Sequence, residues 1–505
     1  MSFITLPELT VEVDGAPLAA EQLAGLATVR VHQQLSLPTL CELVFSQPPG
    51  PLEAAARLTP GVLLRLRVTE QSAPLFVGQV TALQQVYHPG AARSVRVRAY
   101  DALHALRKRQ SVRTHVRLTP HALAQELVGD LGLGVDSADS GPSFPYLIQH
   151  SQTDFDFLSE HLERAGLYFS LRDDTLHLFS LAGLDDTISL QLGLSLLEAR
   201  AEVNADRVTE SVTAQGWNPL LMEAFESTIR QGRSGRQVSA SVAAREVNSA
   251  GEVWLVDEDL ADPDQIEAAA QAELDQRVAA IANLWGVARG DTALQPGTGI
   301  EVRGLADDLS GRYVLTQVTH TIDRRLGFVS EFDTAPPPIP PRPRSAIASL
   351  GVVTQVDDPD GMGRVRVKLP TYNNVETDWL QVVSPAAGTN KGLVALPGVD
   401  DNVLVLFTRQ NPAQGVVLGG IYGPYAPYDP GVDGSAVRRY TLRTPGGHFI
   451  RLDDEHKSVR LEDSYGNYVE MTPDKVRVFA KTDLELSAPG RSIVVRGKRI
   501  DFQTA

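Results

Sequence analysis

Cysteine is almost missing from this chain: Cys41 is the only one in 505 residues. That excludes an intrachain disulfide, so folding does not depend on an oxidising compartment. Between Leu40 and Leu43, Cys41 reads as a small buried hydrophobe. Long apolar runs are also missing. No stretch approaches the roughly 18 residues a membrane-spanning helix needs. The first eight residues, Met1 to Glu8, carry no basic segment followed by an apolar one, so no Sec-type leader is read there. Basic charge is in deficit, with a net charge of −16 and an isoelectric point near 5.2. Such a chain offers no general basic face to nucleic acid and no charge-driven adhesion to anionic membrane.

What the chain does have is a short strand that returns every eight residues near its end. Val476, Leu484 and Ile500 fall on one register, broken only at Ser492. Val478, Leu486, Val494 and Phe502 fall on a second. Lys481-Thr482, Ala488-Pro489-Gly490 and Gly497-Lys498 separate the units as turns. Within a unit apolar and polar residues alternate, as in Val476-Arg477-Val478 and Leu484-Glu485-Leu486, which is strand periodicity. The same beat runs upstream with one-residue slips through Val459-Arg460-Leu461 and Tyr468-Val469-Glu470-Met471. A ribbon of such strands has one apolar face and two open edges, and one copy cannot cover them. Three copies wound about one axis would, so the expectation is a homotrimeric β-helix. An ordinary antiparallel sheet of five or six short strands is the alternative.

Upstream, residues 1–110 alternate as strands at Thr10-Val11-Glu12-Val13, at 63–68 and at 94–100, with turns between, as in a small barrel. Helices are read at 119–131, with Thr119 as N-cap and Pro120 in the first turn, and from Thr153 to a stop at Gly166. Residues 167–171 and 176–179 pair as strands across Asp173-Asp174. A second strand-rich block covers 201–334. It holds one long helix, expected from Asp262 and Pro263 to about Leu284. Residues 335–345 hold a polyproline run, stiff and extended. Beyond it, 346–430 reads as five short strands of an OB-type barrel.

Several stretches in this order resemble a known family. They are Thr153-Asp154-Phe155-Asp156-Phe157 with Glu163-Arg164-Ala165-Gly166-Leu167-Tyr168, and Gly290-Asp291 through Gln295-Pro296-Gly297 to Gly311-Arg312-Tyr313-Val314. Asp357-Asp358-Pro359-Asp360-Gly361 with Arg364-Val365-Arg366-Val367, Trp379, and Leu396-Pro397-Gly398-Val399 complete them. The chain resembles the spike protein of contractile injection systems: the valine–glycine-repeat protein G (VgrG) of type VI secretion, its counterparts in extracellular injection particles, and the fused hub and needle of phage baseplates.

The resemblance implies a mainly β protein with an α+β hub. Its parts would be a first hub barrel (1–110), an α+β insert (111–200), a second hub barrel (201–334), a proline-rich linker (335–345), an OB-fold barrel (346–430) and a β-helix needle (431–505). It implies a homotrimer whose hub barrels form a pseudo-sixfold ring beneath a hexameric inner tube protein, in contact with baseplate proteins. Val476, Val478, Leu484, Leu486, Val494, Ile500 and Phe502 would form the needle core. Ile500 and Phe502 would meet a PAAR-repeat tip protein. The function implied is puncture of a target envelope, with the membrane met only mechanically. No catalysis, cofactor, metal or nucleic acid is expected. The protein would be made in the cytoplasm and built into a contractile particle, of a kind that includes particles released outside the cell. The shortness of 422–441 leaves no room for an inserted lysozyme. The end at Ala505 leaves none for an effector, which favours an extracellular particle. A trimeric tail-fibre adhesin is the alternative, and a particle-delivered cell-wall hydrolase acting through an acid such as Glu163 is a third reading.

Other candidate sites have plainer readings. His448, Asp453, Asp454 and His456 have metal-ligand chemistry, but fit a first needle strand and its polar turn. Asp357, Asp358 and Asp360 lack calcium-loop spacing and fit a turn. Trp379 is a sugar-stacking candidate on an OB face, with barrel core as the expected place. No nucleophile elbow, phosphate loop or zinc-protease motif occurs.

Overall fold

Strand Leu63–Val68 shows how the alternation works. Leu64, Leu66 and Val68 turn into a core with Val11, Val29, Val31, Leu43, Phe45 and Val97, while Arg65 and Arg67 turn away. The computed structural model describes residues 7–46, 58–87, 89, 93–184, 186–218, 223–247, 249–256, 260–339, 345–408 and 411–503. The leader reading at residues 1–6 and the prolines of 340–344 lie outside them. The chain divides into two units, Met1–Gly419 and Gly420–Ala505.

In the first unit, strands from both strand-rich blocks form one eleven-stranded sheet. The join is the antiparallel pair Gln317–Asp323 with Leu26–Gln34, which sets Val318 opposite Gln33 and Ile322 opposite Val29. Cys41 is buried in this sheet opposite Val31 and Ala99, and burial pushes its thiol pKa up.

Both helices of the insert start on a threonine cap, the first as expected at Thr119. Thr119 Oγ1 accepts from the Ala122 N–H at 3.3 Å and starts helix Pro120–Val128. Thr153 Oγ1 accepts from the Asp156 N–H at 3.1 Å and starts helix Asp154–Arg164. Gly166 ends the second helix at φ +71, where a side chain would be strained and would press on Ala272. Strands Tyr168–Arg172 and Thr175–Phe179 pair across Asp173, as the sequence suggests.

The long helix stops earlier than expected. It runs Pro263–Ala279, and Ala282–Arg289 is a strand between Leu196–Val203 and Gly327–Asp333. Alternating burial of Ala282, Leu284 and Ala288 outweighs helix continuity there, since both neighbouring strands need partners.

Residues 347–421 form a six-stranded OB-type barrel around Val353, Val365, Val367, Val403, Val405, Phe407 and Val417. Trp379 is not core. It is half-buried beneath the Arg366 guanidinium, and its neighbour Leu380 takes the interior place. The proline run does not end the first unit. Ile148 of the insert is buried within the OB core, and the Tyr146 hydroxyl donates to the Glu376 carbonyl at 2.7 Å.

Asp358 and Arg364 form a buried ion pair at 2.6 Å. The Asp358 carboxylate also accepts from the backbone N–H groups of Asp360, Met362 and Arg364. Arg364, together with these donors, holds its pKa well below the usual carboxylate range. Its oxygens serve the turn, in keeping with the turn reading rather than a calcium loop.

Candidate functional site

The second unit is built on a five-stranded antiparallel meander: Arg439–Arg443, Phe449–Asp453, Ser458–Glu462, Tyr468–Met471 and Val476–Phe479. This stretch of the single chain has the antiparallel arrangement weighed as the alternative. Its turns are polar and locally satisfied. Asp453 accepts from the His456 N–H at 2.9 Å, Asp463 accepts from the N–H groups of Tyr465 and Asn467, and Gly447 takes φ +93.

Register sorts the side chains into two unlike faces. On one face Tyr440, Leu452, Val459, Met471 and Val476 stand in a row across all five strands. Beside it runs a second row of Leu442, Ile450, Leu461, Val469 and Val478. All but the half-buried Val469 are exposed. The whole face is apolar, and within its unit the described residues leave it uncovered.

The opposite face is laced with charge. Thr441, Arg451, Arg460, Glu470 and Arg477 succeed one another across the strands. Arg451 and Arg460 are like charges placed opposite, which is unfavourable alone. Asp429 offsets the first at 3.5 Å; Glu462 and Glu470 offset the second at 2.6 and 2.9 Å. Hydrogen bonds from Arg439 and the Gly431 N–H hold the Asp429 carboxyl down at about 2. Arg460 also lies 4.0 Å from the Tyr468 ring centroid, and that ring stacks on Phe479. This face is finished; the other is not.

Of the expected core residues, the structure brings Val476 and Val478 onto the apolar face. Leu484, Leu486, Val494, Ile500 and Phe502 lie beyond Phe479, where the described residues of the single chain form no further strand. They are exposed, Phe502 by 93%. A turn at Ala488–Arg491 is closed by the Arg491 N–H on the Ala488 carbonyl. His448 and His456 stand at opposite ends of strand Phe449–Asp453 and serve separate turns, His448 accepting from the Ser464 N–H and His456 pairing with Asp453. Glu163 lies on the last turn of its helix. The charged face and the Asp429 hub of arginines were not anticipated; the alternation of Thr441, Arg451 and Arg460 with apolar residues was their signal.

The family model for the Alg8 N-terminal domain matches residues 7–324. The chain belongs to that family. The type VI secretion system/phage-baseplate injector OB domain matches residues 349–422, the barrel described above. The type VI secretion system spike protein VgrG4b of Pseudomonas aeruginosa is 30% identical over 164 residues, covering 29% of this chain and 20% of the relative. The chain thus matches about a fifth of that relative's length. In fold it is similar to the E. coli c3393 protein, a type VI secretion component with structural similarity to the T4 tail proteins gp27 and gp5. There the TM-score is 0.52 at 14% identity, over 81% of this chain and 99% of that one. A chain of the half-lidded Francisella PdpA–VgrG complex matches with TM-score 0.56 at 9% identity, over 95% of this chain and 89% of that one. These likenesses give the chain the fold of VgrG-type hub and spike proteins, with an injector-type OB domain at 349–422.

Proposed function

We propose that the chain acts as a homotrimer, hub plus needle, at the tip of the inner tube of a contractile injection system. The single observation that carries this reading is the uncovered apolar face of the meander, continued by the exposed octads to Phe502. Full burial of a Val, Leu or Ile is favourable by about 1.5–3 kcal/mol, so the face is a strong drive to associate. Three copies turning these faces to one axis would dry them all and leave the ion-paired faces outward. The run from Leu484 to Phe502 would then gain ladder partners from the other chains. A rod closed in this way has no free lateral edge and suits puncture under load, with the work coming from contraction and no chemistry asked of the spike.

The hub would meet the hexameric inner tube and baseplate proteins. Ile500 and Phe502 would present apolar side chains, three copies of each, to a PAAR-repeat tip protein that carries cargo. The whole would reside in an assembled contractile particle. Co-purification with a PAAR-repeat protein tests the tip assignment. Phe502→Asp should abolish capture while the spike's own mass stays unchanged; undiminished capture by that variant would place the tip interface elsewhere.

A further inference from the structure

Tryptophan is scarce, four in 505 residues, and two of the four sit under an arginine flanked by carboxylates. Arg200 lies 4.5 Å from the Trp285 ring and is held by Glu198 at 2.8 Å, while Glu331 accepts from the Trp285 indole N–H at 3.1 Å. Arg366 lies 5.6 Å from the Trp379 ring and pairs with Glu376 at 3.2 Å and Asp378 at 3.5 Å. The pattern is chemically sound: the indole face attracts the flat guanidinium, and the carboxylates take its N–H groups.

The other two share one face of a small sheet. Strands Ser211–Asn218, Glu223–Ile229 and Glu252–Leu255 form it. Its inner side, through Val212 and Ala214, packs on helix Pro263–Ala279. Trp254 stands opposite Thr213 and Trp217 opposite Ala224, all on the outer side. Both rings are half exposed, 50% and 52%. Glu252 and Glu226 stand on the same side, two residues along from Trp254 and Ala224. Glu226 accepts from the Gln215 amide at 3.0 Å. Among the described residues no arginine or lysine lies over either ring, and neither glutamate forms an ion pair. Rings and carboxylates are present as at Trp285 and Trp379; the guanidinium is missing.

We propose that this face docks an arginine-bearing, extended segment of another protein. The acidic and aromatic lining selects a cation, and the planar bidentate guanidinium suits it better than an ammonium. Thr213, opposite Trp254, is four residues from Trp217, about 13 Å along a strand. Two arginines four residues apart on an extended segment would therefore reach both rings. The site lies wholly within the first unit.

Isothermal titration calorimetry of the full chain with the capped peptide Gly-Arg-Gly-Ser-Gly-Arg-Gly tests the proposal. Saturable binding is expected, weakened on the order of tenfold or more in Trp217→Leu/Trp254→Leu and similarly in Glu226→Gln/Glu252→Gln. A lysine-for-arginine peptide should bind more weakly. The rings are half exposed, so these variants should keep the wild-type melting temperature, which separates lost binding from lost fold. Absence of saturable binding, or equal affinity in wild type and both double variants, would overturn the site. So would burial of both indoles by self-association, or preference for a neutral oligosaccharide at the same face.

Discussion

Strand Asn402–Phe407 of the OB barrel and strand Phe449–Asp453 of the second unit obey the same alternation with opposite results. In the first, Val403, Val405 and Phe407 are fully buried, because the barrel curls its apolar face inward. In the second, Ile450 and Leu452 remain open, because a five-stranded meander has nothing to close upon. The pattern of a strand thus states which face is to be dry; it does not state whose atoms will dry it. In the hub and barrel the chain supplies them itself. In the second unit, on the proposed trimer, other copies would.

Charge placed at matching positions should break this comparison most forcefully. Val405→Asp buries a carboxylate in a core that exists in every single chain. It should cost more than about 4 kcal/mol and unfold the barrel, seen as loss of its thermal transition. Val478→Asp leaves the isolated chain intact and, on the proposed axis, brings three charges together at several kcal/mol each. Its melting profile for the hub should match wild type while the assembly dissociates by light scattering. Intact assembly in that variant would remove Val478 from the core.

A smaller effect separates the units by their ion pairs. Arg364→Ala strands the buried Asp358 and should cost about 3–5 kcal/mol, lowering the melting temperature of the first unit. Arg451→Ala touches only the outer face of the meander, where such pairs are worth about 0–1 kcal/mol. Equal losses for both would mean that the outer face is covered.

Acid gives the smallest and most graded contrast. Burial pushes His161 down to about 3 and His320 down to about 4, from 6.5. Both stay neutral when folded, so their stabilisation is complete above about 6.5. It is lost as pH falls toward those values, because the unfolded chain takes the proton first. Asp101, pushed up to about 6 by burial, acts oppositely between about 6 and 3.8. Two histidines outweigh one aspartate, so the hub should weaken steadily from pH 6.5 to 4. His161→Gln should flatten that slope in urea titrations; an unchanged slope would deny the assignment.

Much of this was legible in the sequence where local rules decide. Thr119, Thr153 and Asp262 begin helices because their oxygens meet free N–H groups. The barrel strands followed from alternation between glycine and aspartate turns. Misreadings came where tertiary pairing prevailed: Ala282 to Leu284, expected at the helix end, open a strand between two others, and Trp379 gave its core place to Leu380. The joining of the two strand blocks through Gln317–Asp323 had no local signal, since a register across some 290 residues leaves no trace in either segment alone. Of the residues expected in the needle core, Val476 and Val478 lie on the apolar face of the meander. Those from Leu484 onward lie exposed and outside any strand of the described residues.

The most direct test of the central claim is the mass of the full chain in solution, by light scattering on a sizing column. A single species at three times 54.6 kDa is predicted. A clean monomer that keeps Leu461 and Val478 in water would contradict it.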